Sequence, residues 1–305
     1  MTAAVADRHA QAVLEKSAHE NFPVAPRFLP RAWREDLMAL YGFARLVDDI
    51  GDGDLAPGGA DAAVLGLDPG TSDRLALLDA AEADLRRVFG SARGGPAPRH
   101  PLLRDLIPTV RRAGLTPGPF LALIEANRLD QRVRRYATYA QLLEYCELSA
   151  NPVGRLVLAV TGTSTPERVR RSDAVCTALQ LIEHLQDVAE DLARDRIYLP
   201  AEDMARFRVS EEDLAAPTAS ASVRTLVACL TDRARRLLDE GAPLTTGVPW
   251  RLRLLLAGFI GGGRAAAQAI ADAGYDVLAG PPKASMGGLL YAAARTAAGT
   301  LRRGT

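Results

Sequence analysis

Asp48, Asp49 and Asp52 crowd the stretch LVDDIGDGD at 46–54, and Asp187 and Asp191 sit in LQLIEHLQDVAEDLARDRIYLP at 179–200. Each stretch holds two carboxylates four residues apart. With ~1.5 Å rise and ~3.6 residues per turn, such a pair shares one helix face, about 6 Å apart along the axis. Like charges one turn apart destabilise an isolated helix by a few tenths of a kcal/mol, so the pairs call for a counter-charge. Mg²⁺ is suited to that place, because it is a hard ion that keeps waters and bridges a few carboxylates to substrate phosphates. Two such faces opposed would make a carboxylate-lined mouth for a diphosphate. A lone DxxxD is ordinarily a solvated helix face. Here both copies lie among core-type residues, Leu46, Val47 and Ile50 in one and Leu181, Ile182, Leu185 and Val188 in the other. Asp49 and Glu190 fall off the paired face and are expected behind the ligands or in solvent. Glu183 extends the second pair into a stripe at 183, 187 and 191.

Diphosphate also calls for cations, since Arg and Lys take the oxygens that the metal leaves. Arg45 lies three residues before Asp48, Arg196 follows the second pair, and Lys283 sits in GPPKAS. Taken singly, each would read as a surface charge. Another local feature is Asn151–Pro152. A proline inside a helix cannot donate to the carbonyl four residues back, here Leu148, so that oxygen is freed. Beside it the Asn151 amide makes a polar notch suited to a water, against the plainer reading of a packing kink.

The elements that must carry these residues read as helices throughout. Apolar residues recur at helical spacing over roughly 6–19, 31–50, 72–89, 101–113, 117–133, 138–162, 166–193, 220–240, 248–273 and 284–302, with no alternating strand. Gly/Pro-rich interruptions fall at 51–70 and 90–101, and a polar stretch precedes Ser220. The expectation is an all-α protein of one domain, 1–305. Its 48% hydrophobic content can fill a substantial core, and 37 basic against 37 acidic residues give no global argument for nucleic acid. Cys146, Cys176 and Cys229 lie in apolar helical runs and are expected as buried free thiols in a reducing compartment. The charged N-terminus lacks a signal-peptide core, so a cytoplasmic location is expected, and no apolar run is expected to reach the ~20 residues of a membrane span.

HENFPVA at 19–25, YGFARLVDDIGD at 41–52, YCELSANPVGRLVL at 145–158 and QLIEHLQDVAEDLARDRIYLP at 180–200 occur in that order. Together they resemble the squalene/phytoene synthase family, and within it the hydroxysqualene synthases of bacterial hopanoid biosynthesis. The resemblance implies an all-α class I isoprenoid synthase with a central apolar channel. It makes Asp48, Asp52, Asp187 and Asp191 metal ligands for Mg²⁺, with Glu183 standing where many relatives carry Asn. Tyr41 and Arg45 would face the diphosphate. Tyr145, Gln180, Arg196, Tyr198, Tyr275 and Lys283 match further site-lining or phosphate-proximal positions, and Ala150, Val153 and Gly154 would line the prenyl channel. The family's Ser/Lys-containing segment reads His19, Glu20 and Asn21 here. Asn151 and Pro152 replace the Gly-Thr pair of phytoene-forming relatives.

The activity so implied is Mg²⁺-dependent conversion of presqualene diphosphate and water into hydroxysqualene and diphosphate, with Asn151 serving the water. GFIGGGRAAAQ at 258–268 is not a GxGxxG after a strand, so no nicotinamide site is expected. Two alternatives stay open. One is a head-to-head prenyl synthase that makes presqualene diphosphate, dehydrosqualene or phytoene. The other is a non-catalytic all-α assembly protein. Peripheral membrane contact and hand-off to other squalene-pathway enzymes also stay open.

Overall fold

The computed structural model describes all residues except 1, 19–23, 92–93, 286, 290–291, 293–294 and 297–305. The fold is all-α, and the described residues hold no strand, only an isolated bridge between Arg135 and Ile197. The chain divides into two compact units. The first comprises residues 1–132 and 155–164, and the second comprises residues 133–154 and 165–305.

In the first unit, α1 is Thr2–Glu15, α2 Arg31–Asp52, α3 Ala60–Leu65, α4 Arg74–Ser91, α5 Pro101–Ala113 and α6 Gly118–Asp130. Helix α2 carries apolar residues at 37, 40, 43, 46, 47 and 50, and all are buried. It packs against α5, α6 and α4, with Phe43 meeting Phe120 edge to face at 5.1 Å. Burying a Phe or Leu is worth about 1.5–3 kcal/mol each, so this face holds α2 firmly. Gly53 ends the helix at φ 78°, a conformation that glycine takes without a Cβ penalty. Its N–H bonds to Ile50 O at 3.2 Å, and Asp54 N bonds to Asp49 O at 2.8 Å. The last turn, with Asp48 and Asp52, is thereby closed rather than frayed.

The second unit holds α7 Tyr139–Ser149, the start of α8 Asn151–Val160, then α9 Pro166–Gln186, α10 Val188–Ala193, α11 Ala201–Phe207, α12 Glu211–Leu214, α13 Ala221–Gly241 and α14 Trp250–Asp272. Helices α9, α13 and α14 pack on one another. Small residues bring them close: a Cβ on Gly241 would strike Val175, and one on Gly263 would strike Leu179 and Leu238.

Several expectations are corrected. The run 138–162 is two helices with Ala150 between them, and 166–193 breaks at Asp187 (φ −105°, ψ 15°). Helix α3 lies inside the stretch expected as loop, and α11 and α12 were unforeseen, being only 6, 7 and 4 residues long. Too few turns are present in each to show a period. Helix α14 is long and apolar enough to cross a membrane by length and composition, contrary to the expectation, although 56% of that stretch is buried inside the protein. The expected helix at 284–302 lies largely outside the described residues, as do His19, Glu20 and Asn21.

Candidate functional site

The first acid pair sits on the last turns of α2. Asp48 keeps contact with solvent, yet the protein around it withholds enough water to raise its carboxyl to about 6. Asn127 on α6 opposes that rise by donating to Asp48 Oδ1 at 3.1 Å, Asp52 adds to it by like charge, and Arg45 lowers it. Asp52 is half-buried one turn on. Asp49, expected off the paired face, proves to be a buried anchor, 3% exposed, that accepts from Lys16 Nζ at 2.8 Å and Arg45 Nε at 2.9 Å. Arg45, expected to face the diphosphate, is thus also tied to its own helix. Gln131 Nε2 and Arg74 donate to Gly51 O at 2.9 and 3.1 Å, bracing the same turn from α4 and the end of α6. Tyr41 is half-buried two turns earlier.

The second pair straddles the break between α9 and α10. Asp187 is the junction residue, its N–H on Glu183 O at 3.0 Å and its carbonyl accepting from Asp191 N at 2.8 Å. Desolvation raises its carboxyl, Glu190 raises it further, and Lys283 and Arg194 pull it down. Asp191 is pushed up to about 7 by desolvation first and by Asp187 second, with Arg196 opposing. Glu183 and Glu190 are exposed. Among the described residues, no three His, Cys, Asp or Glu side chains gather into a metal cage, the 183/187/191 stripe included. A stripe of i, i+4 and i+8 spans about 12 Å of axis, too far for one ion. Carboxylate pairs nevertheless fit Mg²⁺, which needs only one or two protein carboxylates beside water and phosphate. The carboxyls of Asp48, Asp187 and Asp191 are raised by desolvation first and by like charge after it, both of which a cation would offset.

Helix α10 ends at Ala193, and just past its cap Asp195 sits in the left-handed region at φ 59°. Arg135 fixes that turn by donating to Asp195 O at 2.7 Å and to its carboxylate at 2.9 Å, while also pairing with Glu211. Ile197 N bonds to Arg134 O, and Ala201 N to Tyr136 O, each at 2.9 Å. This lacing positions Arg196 and Tyr198. Tyr198 is buried in a cluster with Tyr136 and Tyr145 and stacks on His184 at 3.8 Å between ring centres. Burial pulls the His184 imidazole down to about 3, so the ring is neutral.

The notch reading needs correction. Pro152 stands in the first turn of α8, where a missing N–H is harmless, and not inside a continuous helix. Asn151 is buried, donates to Glu147 Oε2 at 2.8 Å and accepts from Thr177 Oγ1 at 3.0 Å. One amide hydrogen and one lone pair remain for a water. Gly154, expected to line a channel, is instead a close contact of α8 with α9, where a Cβ would strike Ser172 and Cys176. Ala150 is buried and Val153 is 43% exposed. Gln180 reaches His184 at 3.3 Å. Tyr275 is half-buried at φ 61°, and exposed Lys283 borders an open depression of about 620 Å³ with Asp276, Gly280 and Pro282. Cys146 is a buried free thiol raised to about 12, and Cys176 and Cys229 are half-buried.

Asn127, Lys16 and His184 escaped the sequence reading. Asn127 meets Asp48 across 79 residues of sequence, so no local spacing marks it.

The family model described as squalene/phytoene synthase matches residues 16–288. The chain is 33% identical over 230 residues to the hydroxysqualene synthase of Rhodopseudomonas palustris (strain ATCC BAA-98 / CGA009), covering 75% of this chain and 71% of that one. It is 34% identical over 245 residues to the hydroxysqualene synthase of Zymomonas mobilis subsp. mobilis (strain ATCC 31821 / ZM4 / CP4), covering 79% and 75%. The crystal structure of a squalene synthase from Alicyclobacillus acidocaldarius is 41% identical, with a TM-score of 0.74 over 90% of this chain and 94% of that one.

Proposed function

The chain belongs to the squalene/phytoene synthase family of isoprenoid synthases, and from that premise we propose that it converts presqualene diphosphate and water into hydroxysqualene and diphosphate. The observation that carries the reading is the pair of two-carboxylate faces whose acids are raised to about 6 at Asp48 and about 7 at Asp191, a state that a divalent cation relieves. Asp48, Asp52, Asp187 and Asp191 would hold Mg²⁺, with Glu183 at the margin of the second pair. Bound there, Mg²⁺ supplies charge to the departing diphosphate.

The chain's own groups do the rest. Arg45, held by Asp49, and Arg196, held by the Arg135 lacing, present guanidinium donors to diphosphate oxygens as charge accumulates on them. Lys283 adds charge, and Tyr41 and Tyr275 donate hydroxyls. Tyr145, Tyr198, Ala150 and Val153 line the isoprenoid, while Gln180 orients its neighbours. The cation left by diphosphate departure accepts water, its C–O bond forms, and the water's proton leaves to solvent or released diphosphate. Asn151 holds that water with its remaining hydrogen and lone pair. Gly154 acts only by letting α8 approach α9.

Incubating the protein with presqualene diphosphate, Mg²⁺ and ¹⁸O-labelled water tests the reading. The expected product is labelled hydroxysqualene with one diphosphate released per turnover. No turnover of presqualene diphosphate, with turnover of farnesyl diphosphate instead, would establish the second reading, a head-to-head synthase. The 41% identity to a squalene synthase favours that one.

A further inference from the structure

His184 takes part in none of the steps above, yet its place is closely determined. Residues 184 and 191 are two helical turns apart in the chain, but His184 Nδ1 lies 4.0 Å from Asp191 Oδ2. The ring lies nearly parallel to Tyr198, with 11° between planes, which fixes its orientation. On its other edge, the Gln180 amide nitrogen lies 3.3 Å from His184 Nε2. With its amide nitrogen on that side Gln180 donates to Nε2, an arrangement that puts the ring proton on Nδ1, the edge facing Asp191.

We propose that His184 is a positioning residue whose Nδ1–H holds the Asp191 carboxylate in the rotamer that binds the metal, with Gln180 fixing the tautomer. The inference rests on the assignment of Asp191 as a Mg²⁺ ligand. A carboxylate that ligates through one oxygen leaves the other to be steered, and partners of that kind typically govern metal affinity. The 4.0 Å separation closes to a hydrogen bond with a small turn of the Asp191 side chain.

Mn²⁺ binding in the presence of inorganic diphosphate, followed by electron paramagnetic resonance, reads this without turnover. His184→Phe keeps the stack on Tyr198 and removes both nitrogens, and about tenfold weaker Mn²⁺ binding is expected. His184→Asn restores a donor near the Nδ1 position and should return close to the wild-type affinity. Wild-type affinity in His184→Phe, alongside lost affinity in Asp191→Asn, would show that the ring only packs. Equal weakening in His184→Asn and His184→Phe would overturn the donor role. Asp191→Asn binding Mn²⁺ as the wild type does would instead overturn the metal assignment, and this inference with it. If His184→Phe does not fold, Gln180→Met keeps ring and stack but frees the tautomer. Weaker Mn²⁺ binding then supports the proposal, and unchanged binding overturns it.

Discussion

A carboxyl raised to about 6 or about 7 makes a metal compete with a proton near neutrality, more at Asp191 than at Asp48, so these are the acids whose charge matters most. Changing either to Asn keeps the shape and removes the charge. Asp191→Asn and Asp48→Asn are each expected to lower turnover at least about a hundredfold, the loss of roughly 3 kcal/mol of leaving-group stabilisation. Diphosphate release at saturating substrate and limiting Mg²⁺ measures it, and near-normal rates would remove either residue from the ligand set. The acid pairs were legible in the sequence because i, i+4 spacing is local. The sequence leaves Asp49 either behind the ligands or in solvent, and the choice between the two was hidden because its partner Lys16 lies 33 residues away. Asn127, 79 residues from Asp48, was invisible on the same ground.

Helix ends, more than helix bodies, set the positions of the functional side chains. The bodies were readable from their apolar period, and α5 was placed to the residue at 101–113. The breaks at Ala150 and Asp187 were not, because each is made by a single residue while hydrogen bonds bridge it on both sides. Close helix contacts were equally hidden, since Gly154 reads as spare room in a sequence and is the contact of α8 with α9 in the fold. Gly154→Ala is therefore expected to destabilise by about 1–3 kcal/mol through overpacking against Ser172 and Cys176. Urea unfolding reads this directly. Adding Cys176→Ala should recover part of the loss, and an unchanged midpoint in Gly154→Ala would show that α8 can shift freely.

Stability and ionisation meet in the protein as a whole. Asp191 titrates at about 7 when folded and at about 3.9 when unfolded, so the folded state binds the extra proton between those values. Its stabilising contribution is complete below pH about 4 and is lost as pH rises through 7. His184, lowered to about 3, works in the opposite direction, but only below about pH 6.5, where the unfolded imidazole protonates. Between pH 6.5 and 8 Asp191 titrates above Asp48, which is raised to about 6, and Asp48 and Asp187, also raised, act in the same direction. The melting temperature of the metal-free protein should fall across that window, the fall should shrink in Asp191→Asn, and Mg²⁺ with inorganic diphosphate should oppose it by favouring the ionised acid. Circular dichroism melts at each pH measure all three. At this level the sequence was most informative, since four ordered blocks spanning 19–200 carried the family assignment.

The left-handed cap at Gly53 has a bearing on how the protein ages. Asp52–Gly53 is of the aspartyl dipeptide type most prone to cyclise into a succinimide and reopen as isoaspartate, a rearrangement that threads an extra methylene into the main chain. Cyclisation requires the Gly53 nitrogen to swing onto the Asp52 carboxyl, and here that nitrogen is bonded to Ile50 O at 3.2 Å. While α2 is folded the reaction is blocked. Isoaspartate at position 52 is expected to accumulate only in samples held near the unfolding temperature, as measured by isoaspartyl methylation of the peptide that contains it, and to make heat inactivation irreversible even where the helices re-form.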